Sequence, residues 1–229
     1  GGQETEYTFA TFKTTRIING QYIMNPPNGE LIFIISHRFG KLNGGAYELF
    51  GLDQAFVRFG LEYGLTDRLA LGFGRSVYEK TYDGFVKYKI LRQSTGKRNM
   101  PVSLSWFSNI SVNTLKWSEP ERDNLFSSRV AYAHQLLVAR KFSNAFSFQL
   151  MPTVVHKNLV LTKAHENDIF SLGAGGRLRI TQRLSLNAEY FYLFPGKTAD
   201  EYKNSFSLGV DLETGGHVFQ LHFTNSLGM

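Results

Sequence analysis

Short segments in which apolar and polar side chains alternate recur along most of the chain. In residues 54–63, Val57 and Phe59 share one face, whereas Arg58 and Glu62 lie on the other. Because successive side chains of a strand point to opposite faces, a period of two predicts β-strands with one apolar and one polar face. Eleven strands are predicted in this way, over residues 31–39, 54–63, 68–78, 85–92, 102–113, 129–142, 145–156, 169–180, 183–194, 205–212 and 217–225.

The connections between these strands alternate in length. Every second connection is a turn in which Gly or Asn favours a tight reversal, at residues 64–67, 93–101, 143–144, 181–182 and 214–216. The others are mostly longer and include residues 40–53, 114–128, 157–168 and 195–204. This regular alternation predicts an up-and-down barrel with all turns at one end and the long loops at the other. A Greek-key sandwich does not predict it.

The apolar faces also predict where the barrel lies. If so many apolar faces were turned towards a dry core, they would need a second sheet or a large ligand to cover them. Lipid outside and a polar lumen inside satisfy every strand at once. The predicted fold class is therefore all-β, an up-and-down antiparallel transmembrane β-barrel of about 12 strands in the bacterial outer membrane. No apolar run is long enough for a transmembrane helix.

Two parts of the chain fit the pattern less well. Residues 25–29, with the sequence NPPNG, interrupt regular structure, so residues 1–29 are predicted to be an N-terminal arm, a plug or an extra strand before the barrel of residues 30–229. Single-chain bacterial barrels normally have an even number of strands, so a twelfth strand is expected either near residues 7–18 or beyond Met229. In the strand over 129–142, Leu136, Leu137 and Val138 are consecutive, which a β-bulge would explain.

Composition changes this picture little. Hydrophobic residues make up 42% of the chain, and a mean hydropathy of -0.21 is compatible with a barrel whose two faces cancel in the average. The absence of cysteine excludes a disulfide framework and a cysteine nucleophile. The formal net charge of +6 favours anionic partners in general, or it reflects a solvated basic surface. No cofactor and no nucleic-acid partner are predicted.

The polar faces supply the first set of candidate site residues. They could line an aqueous path or bind an anionic solute, or opposite charges could pair across neighbouring strands and fill the lumen. The predicted lumen-lining residues are Arg58, Glu62, Lys87, Lys89, Arg177, Arg179, Glu189, Asp211, Glu213 and His222.

A second set lies in the predicted loop over residues 114–128. This loop mixes charged and aromatic side chains, which suits contact with a protein or a glycan but is also compatible with an ordinary exposed loop. The partner-loop candidates are Lys116, Trp117, Glu119 and Arg122.

Metal and catalytic sites are not predicted. His156, His165 and Glu166 share one loop, but their spacing matches no metal-binding motif. A barrel-type lipase would need a Ser and a His placed together at one rim, and nothing in the sequence marks such a pair. No catalytic residue is therefore assigned, and the chain is expected not to be an enzyme.

Three stretches carry a resemblance to a known family: ATFKTTRIING at 10–20, ISHRFG at 35–40 and HVFQLHFTN at 217–225. They resemble a family of Bacteroidota β-barrel proteins known only as a domain of unknown function. The resemblance spans most of the chain and implies an outer-membrane barrel from a Bacteroidota-like organism, but the family brings no established activity and no site residues. Such barrels commonly finish on a strand ending in an aromatic residue, whereas this chain finishes on SLGM.

These patterns lead to two functional hypotheses. The first is a passive channel or solute-binding barrel with a charged lumen, whose solute the sequence does not identify. The alternative is a non-conducting structural barrel that docks other cell-envelope proteins through its loops or N-terminal arm. Under both hypotheses the barrel lies in the lipid bilayer. The alternative also predicts a cell-envelope protein as a partner.

Overall fold

A computed structural model describes residues 4–8, 10–11, 14, 16, 20–38, 56–160, 165–196, 204–214 and 218–225, without the side chains of 37 and 38. Its strands are β1 Thr5–Tyr7, β2 Leu31–Arg38, β3 Phe56–Gly64, β4 Leu69–Ser76, β5 Tyr82–Leu91, β6 Ser94–Gly96, β7 Ser103–Val112, β8 Val130–Lys141, β9 Phe146–Lys157, β10 Asp168–Arg179, β11 Leu184–Leu193, β12 Ser205–Glu213 and β13 Val218–Thr224. Among these residues, no helix is long and apolar enough to cross a membrane.

Eleven of the strands form one antiparallel sheet, in which the order of strands follows the order of the chain from β2 to β13, leaving out β6. All eleven predicted strands are confirmed, with ends that differ by a few residues. The predicted turn at 93–101 contains β6, which pairs with β1 in a separate two-stranded sheet. Sequential antiparallel pairing places the short connections at one end, here called the turn end, and the long ones at the other, the loop end.

The two faces of the sheet separate as the alternation predicts. In β3 the side chains of Arg58 and Glu62 are buried, whereas Phe59 and Leu61 are exposed. β8 keeps one register with β7 from Val130 to Ala139, so the bulge expected near Leu137 is not present in this pairing. The register shift lies in β5 instead, between Lys89 and Leu91.

Contacts of two N-terminal residues require the sheet to curl around them. Thr14 Oγ1 accepts a hydrogen bond from Gln220 Nε2 of β13, and Arg16 Nε lies 3.6 Å from Glu62 Oε1 of β3. These two strands are nine places apart in the strand order, which in a flat sheet is about 43 Å. Two residues of chain span only about 7 Å. The sheet is therefore a barrel with its polar face inward.

Within the described residues, no pairing joins the first and the last strand of the large sheet. Among them, β2 pairs only with β3, and β13 pairs only with β12. Of the residues considered for a twelfth strand, Tyr7 belongs to β1 and Arg16 pairs with Gln21. The predicted loop 40–53 and residues 226–229 lie outside the described residues, as do residue 217 and parts of the predicted segments 7–18, 157–168 and 195–204.

Candidate functional site

Residues 20–25, here called the lumen segment, lie inside the barrel. The chain on both sides of this segment meets the turn end. Thr8 N donates to Gln93 O, in the connection between β5 and β7, and Asn25 Nδ2 donates to Arg68 O, in the connection between β3 and β4. Gly64 N donates to the carbonyl oxygen of residue 30 at 3.0 Å, just before β2 begins. The lumen segment is thus reached from the turn end, and the chain returns there before the first large strand.

Lys87, on the inward face of β5, binds the lumen segment at three points. Its Nζ donates to the carbonyl oxygen of Met24 at 2.6 Å, to that of Tyr22 at 3.1 Å and to Gln21 Oε1 at 3.3 Å. Both the lysine and the tyrosine are 0% exposed. A buried ammonium group is stable only when its protons are bonded, and these three acceptors match its three donors.

The opposite wall of the barrel binds the segment through β11. Gly20 N donates to Glu189 Oε2 at 2.9 Å, and the Tyr22 hydroxyl donates to Asn187 Oδ1 at 3.2 Å. Burial, with the nearby carboxylates of Asp211 and Glu189, raises the pKa of Tyr22 well above its ordinary value, so the phenol keeps the proton it donates.

Gln149 of β9 completes the attachment with a two-point contact to the main chain of the segment. Its Oε1 accepts from Ile23 N at 2.9 Å, and its Nε2 donates to Gln21 O at 2.6 Å. The side-chain amide thus bonds the peptide groups of the segment with a donor and an acceptor, as a neighbouring strand would. Three strands, β5, β9 and β11, therefore hold one short piece of chain.

A small apolar cluster lies against the same segment. Tyr22 and Ile23 pack with side chains that face inward from β5, β7, β8 and β9, and Met24 is partly buried against them. The strand residues of this cluster are Phe85, Phe107, Leu137, Ala139 and Met151. Where the lumen segment crosses the interior, packed side chains therefore occupy this part of the lumen.

Several inward charged side chains bind polar side chains of other strands. Arg58 forms a two-point ion pair with Asp83, through a contact from Nη2 and a bond of 3.0 Å from Nε to Oδ2. Arg177 donates to Ser185 Oγ at 2.9 and 3.1 Å. Asp211 accepts from Gln220 Nε2 at 3.0 Å. The first contact joins opposite charges on β3 and β5, which are two places apart in the sheet, whereas the other two join a charged and a neutral side chain on neighbouring strands.

The predicted lumen-lining residues all lie in strands of the large sheet, at positions that face inward. Those that are buried are Arg58, Glu62, Lys87, Arg177, Glu189 and Asp211. Those that are half-buried are Lys89, Arg179, Glu213 and His222. Sequence reasoning did not single out Gln149 and Asn187, although the same alternation places them on the polar face, and it missed Asp83 because β5 begins at Tyr82 and the predicted strand begins at residue 85.

The partner-loop candidates lie at the loop end, between β7 and β8. Lys116, Glu119 and Arg122 are exposed, and the ring of Trp117 lies 3.7 Å from the guanidinium carbon of Arg129. Near its C-terminal end the loop carries two apolar side chains, Leu125 and Phe126, each of which is 69% exposed. The loop thus presents charged and apolar groups side by side.

Comparison with known proteins agrees with this architecture. Residues 12–229 match the model of a family described as a membrane bound beta barrel domain (DUF5777). No curated protein matches the chain.

Proposed function

The chain belongs to this family of membrane bound beta barrel domains, and on that premise we propose that it is a passive channel for small polar solutes that its own lumen segment holds closed. The observation that carries the proposal is the binding of Lys87 to three acceptors of that segment. The proposed location is the bacterial outer membrane, whose barrels share the alternation of short turns and long loops.

The contacts of the segment support a reversible closure. Most of them are hydrogen bonds between strand side chains and main-chain groups of the segment, and water can replace these bonds when the segment leaves. Burial of the Tyr22 and Ile23 side chains also favours attachment, and the conformational freedom that the segment regains on leaving opposes it. Because these terms oppose each other, loss of a few attachment bonds should shift the segment towards release.

Release of the segment would uncover a charged wall. Lys87, Gln149, Asn187 and Glu189 would lose their partners in the segment and face the lumen, beside the half-buried Lys89. Opposite charges on facing walls orient small polar solutes that carry charge. The preference of the open state would then depend on these residues.

Single-channel recording in planar bilayers tests the proposal. The wild-type protein is expected to be closed for most of the time, and Lys87→Met is expected to shift the equilibrium between closed and open states at least about 100-fold towards the open state, because about 3 kcal/mol of attachment is lost. Lys89→Met is the matched control, since it removes a lysine from the same face of β5. A folded Lys87→Met protein that is as silent as the wild type would contradict the channel.

The apolar cluster favours a second candidate, a non-conducting structural barrel that docks other cell-envelope proteins. A permanently packed lumen needs no opening, and the exposed Leu125 and Phe126 at the loop end would contact a partner. This candidate predicts that no substitution in the lumen segment produces conductance. It also predicts that Phe126→Ser reduces recovery of an envelope protein after mild solubilisation of the native membrane.

A further inference from the structure

The outward face of the barrel carries a Ser–His pair. Ser108 of β7 and His134 of β8 are direct partners in the register of the two strands. The distance from Ser108 Oγ to His134 Nδ1 is 2.7 Å. The neighbouring outward side chains on β7, Trp106 and Ile110, are 43% and 44% exposed, which places the pair on the face that meets lipid.

A third side chain, that of Trp106, binds the same serine oxygen. The indole Nε1 of Trp106 donates to Ser108 Oγ at 2.6 Å, and the indole and imidazole rings lie 5.8 Å apart. The serine oxygen thus accepts from the indole, and its own proton is available for a bond to His134 Nδ1 when that nitrogen carries no proton. A serine hydroxyl within hydrogen-bond distance of a histidine ring nitrogen is the arrangement of a nucleophile with its general base.

The pair lies near the water-facing edge of the outward apolar face. The next outward residue on β8 towards the loop end is Tyr132, whose ring lies 6.3 Å from that of His156. His156 Nδ1 lies 2.7 Å from Asp168 Oδ1, and the side chains of both residues are about half exposed. A carboxylate on the outward face is stable at the water-facing edge of the apolar band. Ser108 and His134 lie about 7 Å along the strand beneath that edge.

We propose that Ser108 and His134 form a catalytic pair that cleaves acyl esters of lipids in the surrounding membrane. Ser108 Oγ attacks the ester carbonyl carbon, and its proton moves to His134 Nδ1. Collapse of the tetrahedral intermediate breaks the bond to the alcohol oxygen, which takes the proton from His134. Water then attacks the acyl-serine, gives one proton to His134 and releases the fatty acid, after which that proton returns to Ser108 Oγ.

The location of the pair explains its substrate class. An ester lipid needs no pocket to reach Ser108, because the apolar band of the barrel is in contact with acyl chains. Water is available at the nearby edge that His156 and Asp168 mark. This activity is independent of whether the lumen conducts.

Hydrolysis in vesicles of phosphatidylethanolamine tests the proposal. The folded wild-type protein is expected to release fatty acid, and Ser108→Ala and His134→Gln are each expected to lower that rate by at least about 100-fold. The same protein is expected to react with an alkyl fluorophosphonate, which forms an Oγ–P bond as fluoride leaves. Mass spectrometry should place the adduct on Ser108, and His134→Gln should slow its formation.

Ser111→Ala is the matched control, because Ser111 lies on the same strand but faces inward. This variant is expected to keep the wild-type rate and the wild-type labelling. Folding of each variant is checked by its resistance to unfolding in detergent at room temperature. Absence of both fatty acid release and labelling from folded wild-type protein would overturn the proposal, and so would labelling confined to another serine.

Discussion

Lys87 Nζ donates to the main-chain carbonyl oxygen of Tyr22 at 3.1 Å, across a separation of 65 residues in the sequence. The bond joins the middle of β5 to the N-terminal part of the chain inside the barrel. Because the acceptor is a main-chain group, the contact depends on the position of the segment and on the lysine, not on the identity of the side chain at 22. Lys87 is therefore the residue whose substitution reports most directly on attachment of the lumen segment.

Lys87→Met should release the lumen segment while leaving the barrel folded. The substitution removes the three hydrogen bonds that Lys87 donates and leaves the carbonyl groups of Tyr22 and Met24 without this donor. We therefore expect attachment of the lumen segment to weaken by about 3 kcal/mol. The chain contains no cysteine, so Ile23→Cys introduces a single reactive thiol at a buried position. Maleimide labelling of that thiol should be slow alone and at least about 100-fold faster when combined with Lys87→Met.

Lys89→Met combined with Ile23→Cys is the control for this measurement. It removes a positive charge from the same face of β5, and none of the hydrogen bonds of Lys87 depends on it. Equal labelling rates with Lys87→Met and Lys89→Met would mean that Lys87 does not hold the segment.

Gly64→Ala should disturb the point where the chain returns from the lumen. A Cβ at position 64 would lie 2.6 Å from the carbonyl oxygen of Pro26 and closer still to that of Pro27, and these are main-chain atoms that cannot turn away. We expect a loss of about 1–3 kcal/mol in the free energy of unfolding, as for overpacking elsewhere. Gly84→Ala is the matched control, since its Cβ would meet nothing closer than 3.7 Å. The midpoint of urea unfolding in detergent compares the two, and equal midpoints would contradict the steric argument.

The strands of the large sheet could be predicted because each repeats the same physical pattern. The predicted strand over 183–194 is observed as Leu184–Leu193, in which the polar Ser185, Asn187 and Glu189 are buried and the apolar Leu186, Tyr190 and Tyr192 are exposed. The pattern needs several alternations to be recognised. β1 and β6 have three residues each and form only through their pairing, Thr5 with Gly96, across a long stretch of chain. No local pattern carries that information.

The candidate sites were predictable only in part, for a similar reason. Alternation places Lys87 and Glu189 on the polar face, but their partners in the segment include main-chain groups that every residue has. Nothing in residues 20–25 marks them as a binding partner. Ser108 and His134 are 26 residues apart, and they meet only because of the register between β7 and β8. A register is set by pairing across a loop, which alternation within one strand does not specify.

Arg58 and Asp83 should show strong energetic coupling. Both are largely buried and bonded at two points, so removing one partner leaves a charge that lacks compensation. We expect Arg58→Leu or Asp83→Leu alone to lower the free energy of unfolding by about 3–5 kcal/mol, and the double substitution to cost clearly less than the sum. A double-mutant cycle by urea unfolding in detergent measures the coupling. Additive losses would show that the two side chains do not stabilise each other.

Leu208→Arg tests which face of the barrel meets lipid. Leu208 lies near the middle of β12, is 48% exposed and has apolar neighbours on the same face in the paired strands. If lipid covers this face, an arginine near mid-membrane should make folding into bilayers less favourable by about 2–4 kcal/mol.

Phe126→Arg is the matched control, because Phe126 is 69% exposed but lies in the loop between β7 and β8. The Phe126→Arg substitution should change the free energy of folding into bilayers by less than about 1 kcal/mol. Similar losses at both positions, measured as urea-dependent folding into phospholipid vesicles, would mean that the apolar face of β12 is not covered by lipid.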